Sequence, residues 1–279
     1  MESAYVKHLS PAVKSKLSVT TTENNNSNAN KEKANSFNKH FVSVAALIIQ
    51  GNNFSKADLT KIKTFVDGRK PDTVNFDIPL LDSNSLNKLI NSIPGNVATG
   101  LDGISAPLLK LIAPAILDSL VKVLNCSIKS SACPLTLKLA RVTPIHKSGS
   151  FSDPNNFRPI SVLPIISKLL EKHVSGHLMN YLREYKLLIS TQSGFRSLHS
   201  TESILIKMTD DWLEAMDKVR LTGVIFIDLH KAFDLVNHEV LLAKLRIYGF
   251  SPSTLRWFMS YLNDRHQQVS LNGELSERE

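Results

Sequence analysis

Over most of this chain apolar residues recur at steps of three and four, and the faces they form predict a helix-rich protein. Phe37, Phe41, Val44 and Leu47 mark one helix, and Leu86, Leu89, Ile90 and Ile93 mark a short one within residues 80–93. Ser105, followed by Pro107, has the form of a helix start leading into Leu108, Leu109, Leu111 and Ile112. A second helix is predicted from about Pro114, through Ile116, Leu117, Leu120, Val121 and Leu124. Residues 164–185 carry Ile166, Leu169, Leu170, Val174, Leu178 and Leu182 on one long face. Ser200 or Thr201 caps a helix whose stripe of Ile204, Met208, Trp212, Met216 and Val219 is expected to face a core. Asn237 caps another that ends at Gly249, and Ser251-Pro252 opens the last, with Leu255, Trp257, Phe258, Tyr261 and Leu262.

Where this period breaks, extended chain is predicted. Residues 140–145 and 157–162 flank the turn-forming KSGSFSDPNN, so they read as a hairpin with a basic residue on each arm. Asn272-Gly273, after residues 267–271, has the composition of a tight hairpin turn. Val224, Ile225, Phe226 and Ile227 show no polar alternation, the pattern of a strand buried on both faces. Asp228 follows directly. A carboxylate ending a buried strand is costly unless a cation meets it, which a metal ion or a substrate phosphate with its Mg²⁺ would do. Residues 18–36 are polar and low in complexity and read as a linker or disordered segment.

Charge adds a partner class to this picture. Lys and Arg number 33 against 25 Asp and Glu, a net +8, which favours a polyanionic partner such as nucleic acid or an anionic membrane surface. Between Lys138 and Lys186 there are eight Lys or Arg against three Asp or Glu, a local excess of five. A phosphate backbone or a triphosphate would be met there. Cys126 and Cys133 have no metal-ligand spacing and read as ordinary thiols of a reduced compartment. No run approaches the roughly 18 apolar residues of a membrane span, and the N-terminus lacks a signal-peptide pattern, so a soluble intracellular protein is expected. His173 and His177 stand one helical turn apart but lack the Glu or third ligand of a zinc site. In PGNVATGLDG the position of a P-loop lysine is Leu101, so that stretch reads as a structured turn.

Six motifs then occur in order: TGLDGIS (99–105), ARVTPIHKSG (140–149), NNFRPISVL (155–163), QSGFR (192–196), FIDLHKAFDLVNHEVLLAKL (226–245) and SYLNDRHQQVSLNG (260–273). Together they resemble the reverse transcriptase domain of non-LTR retrotransposons, the LINE group that includes jockey-like elements. The resemblance covers about the last 180 residues, and FNKHF at Phe37 is similar to the lead-in of these proteins. It implies an RNA-directed DNA polymerase, a nucleotidyltransferase of right-hand shape: an α/β (α+β) fold, helix-rich, with fingers, a partial palm and an incomplete antiparallel palm sheet. The implied divisions are a lead-in and disordered linker (1–36), an N-terminal helical extension (37–98), a fingers-like region (99–199) and a partial palm (200–279).

The same resemblance implies residue roles. Asp228 would be the first catalytic, metal-binding carboxylate, bridging two Mg²⁺ about 3.5–4 Å apart. Leu229, His230, Lys231 and Ala232 would cup the triphosphate with backbone N–H groups, and the ring of Phe233 would screen against a 2′-hydroxyl. Lys147 and Arg158 would grip the phosphates of the incoming deoxynucleoside triphosphate. Gly194, Phe195 and Arg196 would seat template or nucleotide. Partners would be an RNA template and a DNA primer, with no membrane, in the cytoplasm and nucleus. The family's GxPQGS-like loop and aromatic-Ala-Asp-Asp turn do not occur in the 279 residues. The expectation is therefore a domain truncated before that turn, with one of three expected carboxylates, catalytic only within a longer protein. The alternative is a catalytically dead remnant that at most binds RNA or a template-primer duplex.

Overall fold

The structure is a computed structural model that describes residues 27–50, 59–229 and 231–279. Its first helix, α1 (Ser27–Gln50), lies across a sheet of four strands: β1 (Leu139–His146), β2 (Phe157–Val162), β3 (His266–Leu271) and β4 (Glu274–Leu275). Their order is β2-β1-β3-β4. β1 and β2 form the predicted antiparallel hairpin, with Thr143 opposite Ile160 and Ile145 opposite Arg158. β3 and β4 form the second hairpin, and Asn272 (φ 50°) and Gly273 (φ 86°) give its turn the two left-handed residues that a twisted two-residue connection needs. Between the hairpins β1 pairs with β3 in parallel, Arg141 beside Gln268.

The remaining helices make a separate core: α2 (Thr60–Asp67), α3 (Ser83–Asn91), α4 (Ala106–Ser130), α5 (Ile165–Glu184), α7 (His238–Ile247) and α8 (Pro252–Leu262). Side-chain oxygens of Asp82, Ser105, Asn237 and Ser251 accept backbone N–H groups at the starts of α3, α4, α7 and α8, which fixes where each begins. Leu86, Ile90, Leu109, Leu124, Leu169, Leu170, Phe250 and Trp257 are buried together, and the Trp257 indole N–H donates to Ser127 Oγ at 3.1 Å. The buried Lys138 donates to the Ser260 and Asn263 carbonyls, both at 2.9 Å, tying the entry of β1 to the exit of α8.

Several expectations need correction. α1 begins at Ser27, so residues 27–36 of the expected linker are helical. Contacts distant in sequence stabilise this: Ala34 and Phe37 are buried against Val142 and Val269, and the Asn38 amide donates to Ser276 Oγ at 3.0 Å and the Glu277 carbonyl at 2.9 Å. α4 is one helix where two were expected, since it continues through Pro114 at the loss of one internal hydrogen bond. It is also long and apolar enough by composition to cross a membrane, contrary to the sequence reading, although its buried residues pack into the helical core. The helix α6 (Thr201–Asp217) has no buried residue; Trp212 is 36 % and Met216 68 % exposed. Its stripe is therefore a solvent face among the described residues. The expected antiparallel palm sheet is likewise replaced by the mixed sheet above, in which residues 224–228 take no part.

Candidate nucleic-acid interface

The two faces of the sheet differ, because pleated side chains alternate. Ala140 and Val142, with Phe157 and Val269, face α1. Arg141, Thr143 and Ile145 of β1 fall on the opposite face, together with their register partners Val162, Ile160 and Arg158. Lys147 continues this register, donating its backbone N–H to the Asn156 carbonyl at 2.7 Å. Lys147 and Arg158 are exposed, and neither side chain has an ion pair or hydrogen bond among the described residues. Two free cations thus stand at one end of a hairpin, near enough for one phosphate chain.

The hairpin tip is stiffened by rings. His146 stacks on Phe151 at 3.9 Å and 16°, and its Nε2 lies 3.0 Å from the Gly149 carbonyl. Asp153, whose carboxyl is held below its ordinary value by the Asn155 backbone and side-chain donors, faces His40 of α1. His40 itself is less readily protonated than usual, first because of burial and then because Lys231 lies close. Lys231, in the turn after the Asp228 segment, is close enough for its charge to oppose protonation of His40. On its other side the same turn is met by the 192–196 loop, where Phe195 and Phe233 form an edge-to-face pair at 6.0 Å. So the structure brings Phe233 against the 192–196 loop. Arg196 donates to the Gln192 carbonyl at 3.0 Å and the Ile189 carbonyl at 3.3 Å, closing its own loop. Gly194 has open space around it, Leu229 and Ala232 are exposed, and His230 lies outside the described residues.

Asp228 is placed differently from expectation. Residues 224–229 form neither helix nor paired strand, and Ile225, Phe226 and Ile227 are each more than four-fifths exposed. An apolar run becomes a buried strand only if a neighbour satisfies its backbone groups and a layer covers its side chains. Neither is present among the described residues, and Asp228 stands in solvent. No group of three or more His, Cys, Asp or Glu gathers among the described residues. Asp228 alone does not make a site for two divalent ions.

The predicted histidine pair is structural. His173 is buried and its Nε2 donates to the Pro79 carbonyl at 2.7 Å, while His177 contributes a ring contact at 4.6 Å. Burial lowers the His173 pKa, against the opposing pull of that carbonyl. Three lysines hold the TGLDGIS turn and its approach: Lys168 donates to the Ala98 carbonyl at 2.9 Å, Lys172 to Ser92 Oγ at 2.7 Å and Lys110 to the Asn91 carbonyl at 3.2 Å. Sequence reasoning had counted Lys168 and Lys172 only as part of the local excess of charge between Lys138 and Lys186. Arg141 faces away from α1 near Lys168, which its place in an alternating strand signals only once the covered face is known.

The comparisons point to the class of nucleotide-polymerising proteins. Residues 145–279 match the family model for reverse transcriptase (RNA-dependent DNA polymerase). Within it the chain carries a jockey-like reverse transcriptase domain of the non-LTR type. It is 28 % identical over 248 residues to the probable RNA-directed DNA polymerase from transposon BS of Drosophila melanogaster, covering 88 % of this chain and 27 % of that protein. It is 28 % identical over 204 residues to the RNA-directed DNA polymerase from mobile element jockey of the same fly, covering 73 % of this chain and 22 % of that one. The probable polymerase from transposon X-element is 30 % identical over 183 residues, 65 % of this chain and 20 % of its own length. The chain thus spans about a quarter or less of the length of these relatives.

Proposed function

We propose that this chain supplies the fingers and part of the palm of an RNA-directed DNA polymerase that copies a retrotransposon RNA onto a DNA primer, in the cytoplasm and nucleus. The observation that carries the reading is the pair of unpartnered cations, Lys147 and Arg158, on the uncovered end of the β1–β2 hairpin. They suit the phosphates of an incoming deoxynucleoside triphosphate, and the planar Arg158 guanidinium can meet two oxygens at once. In this reading the stretch 99–199 forms the fingers and 200–279 the palm portion. The Phe195–Phe233 contact supports a role for Phe233 in holding the nucleotide against the 194–196 loop.

Reverse transcriptases use divalent metal ions, Mg²⁺ in this proposal, but the described residues do not fit a two-ion site. Asp228 would hold metal only with further carboxylates beside it, so what these residues supply is binding and positioning. That favours, for the 279 residues on their own, the second reading of a template-primer binding module.

The test is primer extension on poly(rA) with an oligo(dT) primer, using this segment joined to the aromatic-Ala-Asp-Asp turn of a jockey-like relative, beside the 279-residue chain itself. Incorporation by the joined protein that disappears in Asp228→Asn, with none by the 279 residues, is the expected result. Incorporation unaffected by Asp228→Asn contradicts the role given to Asp228. Lys147→Ala and Arg158→Ala in the joined protein should each raise the KM for deoxynucleotide, and an unchanged KM in both refutes their assignment.

A further inference from the structure

The loop KSGSFSDPNN (147–156) is made of residues that favour turns of many conformations, yet it is closed at three points. The Lys147 backbone N–H donates to the Asn156 carbonyl at 2.7 Å, the Asn156 side-chain amide donates to the Ser150 carbonyl at 3.0 Å, and His146 Nε2 lies 3.0 Å from the Gly149 carbonyl. Gly149 is needed for this closure: its φ is 81°, and a Cβ would lie 2.6 Å from the Asn156 amide nitrogen.

Rings carry the order inward. His146 and Phe157 are register partners across the hairpin, and their rings meet at 5.0 Å. Phe151 reaches back from the loop to stack on His146 at 3.9 Å and to meet Phe157 edge-on at 6.2 Å. Phe157 in turn stands edge-on to Phe37 of α1 at 4.7 Å, and Phe37 is buried. The rings thus run without a break from α1 to the loop, and their anchor, Phe37, lies outside the matched residues 145–279. Phe151 itself is 64 % exposed, so its place in the stack buries little apolar surface and adds little to the core.

The two free cations are sequence neighbours of these rings: Lys147 follows His146, and Arg158 follows Phe157. Side chains alternate along a strand, so rings turned toward α1 set the cations on the opposite face. If the tip frayed, the two arms would part, and a phosphate chain held by both would have to order them on binding. A tip already rigid removes that cost.

We infer that His146 and Phe151 are positioning residues: their ring stack, seated on Phe157, keeps Lys147 and Arg158 at one separation for the phosphates of an incoming deoxynucleoside triphosphate. The inference deepens the nucleotide reading of those two cations and rests on it.

The test is a fluorescence titration of the 279-residue chain with mant-labelled deoxyadenosine triphosphate in Mg²⁺ buffer, each variant being checked by circular dichroism as folded at the assay temperature. His146→Ala and Phe151→Leu should each bind about threefold more weakly, the scale of one ring contact. His146→Phe, which keeps a ring for Phe151 to stack on, should restore binding. Rings that served only the fold would leave the affinity of the folded chain unchanged. Unchanged affinity in His146→Ala and Phe151→Leu, with Lys147→Ala weakened, therefore overturns the positioning role and leaves the nucleotide contact standing. Unchanged affinity in Lys147→Ala and Arg158→Ala as well overturns the nucleotide reading beneath it. Binding by His146→Phe as weak as by His146→Ala assigns the order to the Gly149 contact and overturns the stack. Should His146→Ala fail to fold, Phe151→Leu, at an exposed position, carries the test.

Discussion

Trp257 is the largest fully enclosed side chain of the helical core, 2 % exposed, with its one polar atom bonded to Ser127. Trp257→Ala should destabilise the chain by about 3–5 kcal/mol in urea unfolding, the range for emptying such a site. Gly100 shows the reverse constraint. A Cβ there would lie 2.7 Å from the backbone nitrogen of Pro164, so Gly100→Ala should cost about 1–3 kcal/mol by the same measurement, because a backbone cannot move aside as a side-chain end can. Lys147 and Arg158 were legible in the sequence because each sits in a motif beside a turn and keeps its charge free. Arg141 was not. Whether an arginine in a strand is paired, buried or free depends on what covers its face, here settled by α1 and by a β3 strand more than a hundred residues away.

Among the elements, local chemistry read well and distant contacts did not. Both hairpins and the helix starts at Asp82, Ser105, Asn237 and Ser251 depend on residues a few positions apart, and the sequence carries their turn and cap residues openly. The first turns of α1 are held instead by distant partners, Ser27 Oγ donating to Glu274 and Asn30 Oδ1 accepting from the Asn272 amide. The 224–228 run was read as a strand from its apolarity, yet a strand also needs a partner, which no single stretch of sequence can show. The exposed placement has a direct consequence: Ile227→Asp should change unfolding free energy by less than about 0.5 kcal/mol, whereas a loss of several kcal/mol would mean the side chain is buried. His173 gives the helical core a pH dependence. Burial lowers its folded pKa below the ordinary 6.5, so the unfolded chain takes up protons first as the pH falls. Stability measured by urea unfolding should therefore decline as the pH drops below about 6.5, and His173→Gln should flatten that decline.

Taken whole, the molecule is a helical core joined through Lys138 to a small mixed sheet, with α1 closing one sheet face and a basic surface left on the other. The class, mixed helix and sheet, follows from the periodicities alone; the parallel pairing of β1 with β3 does not, because it joins Leu139 to His266 across most of the domain. The motif order identified the family more securely than any one element identified the fold, since the motifs are local and the sheet is not. The account's central claim is that the uncovered basic face meets the phosphate backbone of a template-primer. Its most direct measurement is the affinity of the 279-residue chain for an RNA-DNA template-primer duplex as salt is raised from about 50 to 200 mM. The account predicts a steep linear fall of log affinity with log salt; an affinity that does not change with salt would contradict it.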